Sequence, residues 1–165
     1  MTSSPADDLA HASAEIVAGV ERCAPEWVVA SVTRIVDLWG RLDDAARAAA
    51  IAAAQAAAGP AAARVVADLR ALFALDAAAQ RTTPLQLVRG LVPVPTAVLR
   101  AAGVPEVERD EFDARAFPDD DYDLAPRTLG DLGDPDLGPL LLAWGLAKAA
   151  VLRERRAAET DSESP

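Results

Sequence analysis

Residues 43–79 read DDAARAAAIAAAQAAAGPAAARVVADLRALFALDAAA, and this stretch decides the fold class. Alanine dominates it, and alanine is the strongest helix former because ordering it takes almost no side-chain entropy. Asp43 or Asp44 supplies an N-terminal cap, and the chain from there to Ala58 is nearly pure alanine around Ile51. Gly59-Pro60 reads as a helix stop followed by a helix start, since glycine suits the residue just past a helix end and proline the first helical position. The sequence therefore predicts two helices, 43–58 and 60–79, with Val65, Val66, Leu69, Leu72, Phe73 and Leu75 turned inward in the second. A connection this short makes them an antiparallel hairpin.

Towards the N-terminus, Ser3 or Ser4 before Pro5 caps a first helix, and Asp7 and Asp8 suit its positive end. Leu9, Ile16, Val20 and Cys23 share one face of it. Pro25 reads as the start of a second helix with Glu26 in its first turn, Trp27 near the start of its stripe, and Val28, Val32, Ile35, Val36 and Trp39 along it. Gly40 marks its end. The predicted spans are 5–22 and 25–40.

Towards the C-terminus, Thr82 or Thr83 before Pro84 caps a short helix carrying Leu85, Leu87, Val88 and Leu91, which Pro93 breaks. Pro95 starts another, ending at Gly103 before Pro105, and Glu106 to Ala116 reads as one more. Residues 117–136 hold prolines 118, 126 and 135, glycines 130 and 133 and many aspartates, the signature of an ordered loop or covering strap. The last helix is expected over 136–158, with Leu137, Leu140, Leu141, Trp144, Ala147, Lys148, Val151 and Leu152 at helical spacing and Arg153, Arg155 and Arg156 near its negative end. The tail 159–165 reads as disordered. No strand pattern is present. The expectation is one all-α domain over 1–158: a compact multi-helix bundle with a helical core of 5–79 plus 136–158, closed on one side by the short helices and acidic loop of 81–135.

Composition narrows the function classes. A chain of 165 residues fits a single domain and buries a real core without disulfides, and Cys23 is its one cysteine. The net charge of −10 opposes binding to nucleic acid or an anionic membrane, because both rest on Lys and Arg neutralising phosphate. No uninterrupted apolar run reaches the roughly 20 residues of a membrane span, and the acidic start lacks a signal peptide's basic and apolar regions. The expected location is the cytoplasm. Lys148 is the sole lysine against many arginines and alanines, a pattern of genome composition rather than of function.

Catalytic and cofactor signatures are missing from the sequence. His11 is the single histidine, and the twelve residues from it to Cys23 correspond to about 18 Å of helical rise, so the two cannot meet within one helix. Zinc-type Cys/His clusters, the phosphate loop and the GxSxG and GxGxxG motifs do not occur. No cofactor is expected. The acid-rich stretch is sharper: Asp119, Asp120, Asp121 and Asp123 follow Asp110, Glu111 and Asp113. Dense carboxylates suit Ca²⁺ or Mg²⁺, and Asp119, Asp121 and Asp123 match the first ligand positions of an EF-hand loop. The required glycine is Leu124 and the required glutamate is Gly130, so that motif fails. Helix capping, loop solvation and pairing with Arg89, Arg100, Arg109, Arg115 and Arg127 account for these acids better than a metal site does. Trp27, Trp39 and Trp144 lie on helical apolar stripes and read as core, whereas Tyr122 reads as a loop anchor or an interface hot spot.

The segment PLQLVRGLVPVPTAVLRAAGVPEVERDEFDARAFPDDDYDL, residues 84–124, resembles part of uncharacterised helical proteins of high-GC actinobacteria. That resemblance implies a helical fold and a source group but no activity. The reading that follows from the residues is a non-catalytic protein-interaction or regulatory module, with a protein partner or a second copy of the chain meeting a face formed by Arg89, Arg100, Arg109, Asp110, Asp113, Phe117, Asp119, Asp121, Tyr122 and Asp123. An alternative is a small-molecule or divalent-metal site, possibly enzymatic, where Arg109, Asp110, Asp113 and Asp121 converge. A second alternative is DNA binding by a helix-turn-helix over 84–91 and 95–102, with only Arg89 and Arg100 to meet phosphate.

Overall fold

Asp43 accepts a hydrogen bond from the backbone N–H of Ala46 at 2.7 Å and so starts a helix, but that helix does not stop where the sequence suggests. The computed structural model describes residues 3–39, 42–104 and 124–162. In it α1 runs unbroken over Pro5–Trp39 and α2 over Asp44–Ala74, with Pro25 and Pro60 inside them. The predicted breaks at Pro25 and at Gly59-Pro60 are therefore absent, and the hairpin pairs α1 with α2 instead. An interior proline costs about 3 kcal/mol and an interior glycine about 1 kcal/mol. Against that stands a buried stripe crossing each breaker: Ile16, Val20, Ala24, Val28, Val32 and Ile35 on α1, and Ala54, Ala58, Ala61, Val65, Leu69 and Leu72 on α2. Breaking either helix would put these side chains out of line with each other, and each large one contributes roughly 1.5–3 kcal/mol by burial. Pro25 and Gly59 also line the same groove between α1 and α2, so the two weak points lie side by side.

α2 ends five residues before its expected limit. Leu75 leaves the helical conformation, and a turn follows in which Asp76 accepts the N–H of Ala78 at 2.9 Å. Gln80 is buried beneath this turn and donates from its amide to the carbonyl of Leu75 at 3.1 Å. A reciprocal capping box between Thr83 and Gln86 then starts α3, Pro84–Val88, which tightens into a 3-10 turn over Arg89–Leu91. The first short helix ends before Pro93 as expected, but the next one begins at Pro93 and not at Pro95. Pro93 opens α4, Pro93–Ala101, and Pro95 falls in the first turn, where the missing N–H leaves no bond unmade. Gly103, at φ +75°, ends α4: its N–H meets the carbonyl of Arg100 and the N–H of Val104 meets that of Leu99. The helix expected over Glu106–Ala116 lies outside the described residues.

The described part of the predicted strap, 124–136, covers α1 together with Leu137. Leu124, Leu129, Leu132 and Leu137 are buried, in part through 3-10 turns over Leu129–Leu132 and Pro135–Leu137. Gly19 on α1 makes this approach possible, because a Cβ there would fall 2.1 Å from the side chain of Leu137. The last helix, α5, spans Gly138–Ser162 and so continues four residues into the tail read as disordered. α1 is the central element: α2, α4, α5 and the strap all pack on it. The described residues contain no strand, and the fold is an all-α bundle.

Candidate interaction surface

α5 is built from more apolar residues than one buried stripe can use. Trp144, Ala147 and Val151 form its inner face, with Leu137 just before it. Lys148 also turns inward: its ammonium donates to the backbone carbonyl of Gln80 and lies 5.0 Å from the Trp144 ring centroid, a cation–π contact. Phe73 meets the same indole at 6.1 Å between centroids. The helix is thus locked in rotation by a lysine, two aromatic rings and the 75–80 turn.

That rotation leaves the opposite face in solvent. Leu142 is 67% exposed and Leu146 62%, one helical turn apart, with Pro139, Ala143 and Ala149 exposed around them. Between Leu137 and Leu152 the sole charged side chain is Lys148, which points away. The result is an apolar patch without charge, with Asp136 exposed before it and Arg153, Glu154 and Arg156 exposed after it. Isolated exposed leucines are ordinary on a protein surface, but a contiguous apolar face rimmed by charge marks an interaction surface.

The segments at either end of α5 are held in place. Asp131 accepts the backbone N–H groups of Arg127 and Thr128 at 2.7 and 2.8 Å. These bonds, that from Thr128 first, keep its carboxyl below the usual range. Asp134 accepts the N–H of Asp136 at 3.0 Å and pairs with Arg22 of α1 at 2.7 Å, and both lower its pKa. Arg155 clamps the far end of α5 to Asp76 at 2.7 Å. Asp131 and the Arg155–Asp76 pair are exposed and Asp134 is half-buried against an exposed Arg22, so these contacts fix geometry more than they add stability.

Of the face read from sequence, Arg109, Asp110, Asp113, Phe117, Asp119, Asp121, Tyr122 and Asp123 lie outside the described residues. Arg89 donates from Nε to the carbonyl of Pro126 at 3.0 Å, tying the short helices to the strap, and Arg100 is exposed in the last turn of α4. Leu91, Pro95, Val98 and Leu99 are buried against α1 and α2, so the helices considered for DNA binding are parts of the core. Among the described residues no three His, Cys, Asp or Glu side chains come together. His11 is exposed on α1 and Cys23 is buried. Among the described residues there is an open cleft of about 410 Å³ beside Trp27, Arg34 and Asp131 and another of about 420 Å³ beside Leu9, Phe73 and Val151. The latter includes Gln80, but its unpaired Oε1 is sealed from solvent and offers no handle there.

Leu142 and Leu146 were not singled out in the sequence. The available signal was an excess: leucines at 140, 141, 142, 146 and 152 surround α5 instead of keeping to one side. The same excess makes α5, like α2, long and apolar enough to cross a membrane by length and composition. No known protein family matches this chain, and neither a curated protein nor a solved structure is similar to it.

Proposed function

We propose that this protein is a non-catalytic interaction module that engages a protein partner through the outer face of α5. The observation that carries the reading is the exposure of Leu142 and Leu146 on a helix face from which the one nearby charge, Lys148, is withdrawn. Covering both leucines would contribute roughly 2–4 kcal/mol, scaled from the burial of whole leucine side chains. That is enough to make them the hot spot of a modest interface. A membrane-spanning role for α5 is less well supported. The stretch from Leu137 to Leu152 rises only about 24 Å, short of the roughly 30 Å hydrocarbon core, and carries Lys148 within it.

The test is site-specific photo-crosslinking in cells, with a photoreactive amino acid replacing Leu142 or Leu146 in turn, and with one replacing Arg64 on the outer side of α2 as control. Discrete protein adducts from positions 142 and 146 and not from 64 are expected. No adduct from either α5 position would overturn the reading.

A further inference from the structure

We infer that the occupant of this face is a second copy of the same chain, with the two α5 helices antiparallel about a two-fold axis level with Trp144. The inference rests on the α5 reading above and adds the identity and orientation of the partner. Its first support is self-complementarity. In an antiparallel pair centred at 144, Leu142 stands opposite Leu146 of the other copy, and Pro139 stands opposite Ala149, so one patch matches itself as an isologous interface requires. Pro139, Ala143 and Ala149 flank the two leucine pairs and are small or compact, so the helices can approach closely enough for the leucines to meet.

Charge supplies the second, independent support. One end of the patch has Asp136 exposed, and the other, about 25 Å further along the helix, has Arg153 and Arg156 exposed with Glu154 between them. The same centre at 144 brings Asp136 within one residue of the level of Arg153 of the other copy, twice over by symmetry. A parallel pair would instead set acid against acid and arginine against arginine. The helix dipoles favour the antiparallel choice as well. A net charge of −10 on each copy works against association in general, and local pairing at these ends is what overcomes it. An interface made mainly by one pair of helices lies at the small end of specific interfaces, so a dimer on the order of micromolar affinity is expected.

The experiment is sedimentation equilibrium of the purified full chain, up to about 300 µM, a concentration well above that expected affinity. Far-UV circular dichroism of each variant confirms that it is folded. Wild type should dimerise, and Leu142→Glu/Leu146→Glu should remain monomeric with unchanged helicity. Asp136→Arg or Arg153→Asp alone should weaken the dimer about five-fold or more, as two symmetry-related rim pairs turn repulsive, and the double reversal should restore it. A chain that stays monomeric throughout the range would overturn the inference while leaving the crosslinking test of the α5 surface to stand or fall by itself. So would a dimer that survives the two glutamates. A dimer in which the double reversal is no tighter than the single ones would overturn the antiparallel arrangement.

Discussion

Replacing Gly59-Pro60 by Ala-Ala is the perturbation that most directly tests the architecture. In the unbroken α2, Gly59 is exposed, and a Cβ there would meet no atom within 4 Å, so alanine fits without strain. Its helix propensity is better than that of glycine by about 1 kcal/mol. Pro60 is also exposed, and alanine in its place removes a penalty of about 3 kcal/mol and returns an N–H that can bond the carbonyl of Ala56. Adjacent sites do not add fully, so a net stabilisation of roughly 2–4 kcal/mol is expected. For a chain of this size that corresponds to a rise in melting temperature of about 5–15 °C. Urea titration followed by circular dichroism measures it, with an unchanged m-value showing that the same structure unfolds. The broken-helix alternative has the opposite sign. There Gly59 would hold the left-handed position past a helix end, where alanine costs about 1 kcal/mol, and Pro60 would sit comfortably at the first position of the next helix. A double variant equal to or less stable than wild type would therefore refute a continuous α2.

Three further outcomes follow from single contacts. Asp43→Ala removes the cap on Ala46 and should cost about 1 kcal/mol in the same titration, whereas Asp43→Asn should keep most of it. Leu69→Ala empties a fully buried position of α2 in the core and should cost about 3 kcal/mol, within the range for core leucines. Asp76, Asp131 and Asp134 all have lowered pKa values, so their contributions are present above the unfolded carboxylate pKa of about 3.9 and fade as pH falls through the folded values. Stability should thus decline below about pH 4, and Asp131→Asn should flatten the acid limb while lowering stability at pH 7; an acid limb unchanged by that variant would remove Asp131 from the account.

What the sequence revealed and what it concealed divide along the range of the interactions involved. A helix start at Asp43 or Asp44, a cap just before Pro84 and the stop at Gly103 were legible because each needs only a few neighbouring residues, although the reciprocal bond from Gln86 was not read. Pro25 and Gly59-Pro60 misled for the same reason. Their local preference for a break is real, but it is outweighed by a stripe such as Val20, Ala24 and Val28, whose value depends on a partner helix that local reading does not weigh. Gly19 gave no signal at all, since its meaning is the approach of Leu137 from the far end of the chain. The outer face of α5 was not legible for a different reason: the spacing of its leucines does not say which of them turn inward. Which leucines are core depends on the rotation of α5, and that rotation depends on Lys148. A lone lysine inside an apolar helix normally marks the solvent side. Here Gln80 and Trp144 accept it on the inside, and this inversion turns Leu142 and Leu146 outward, so that the most polar residue of the stretch is what makes its exposed face apolar.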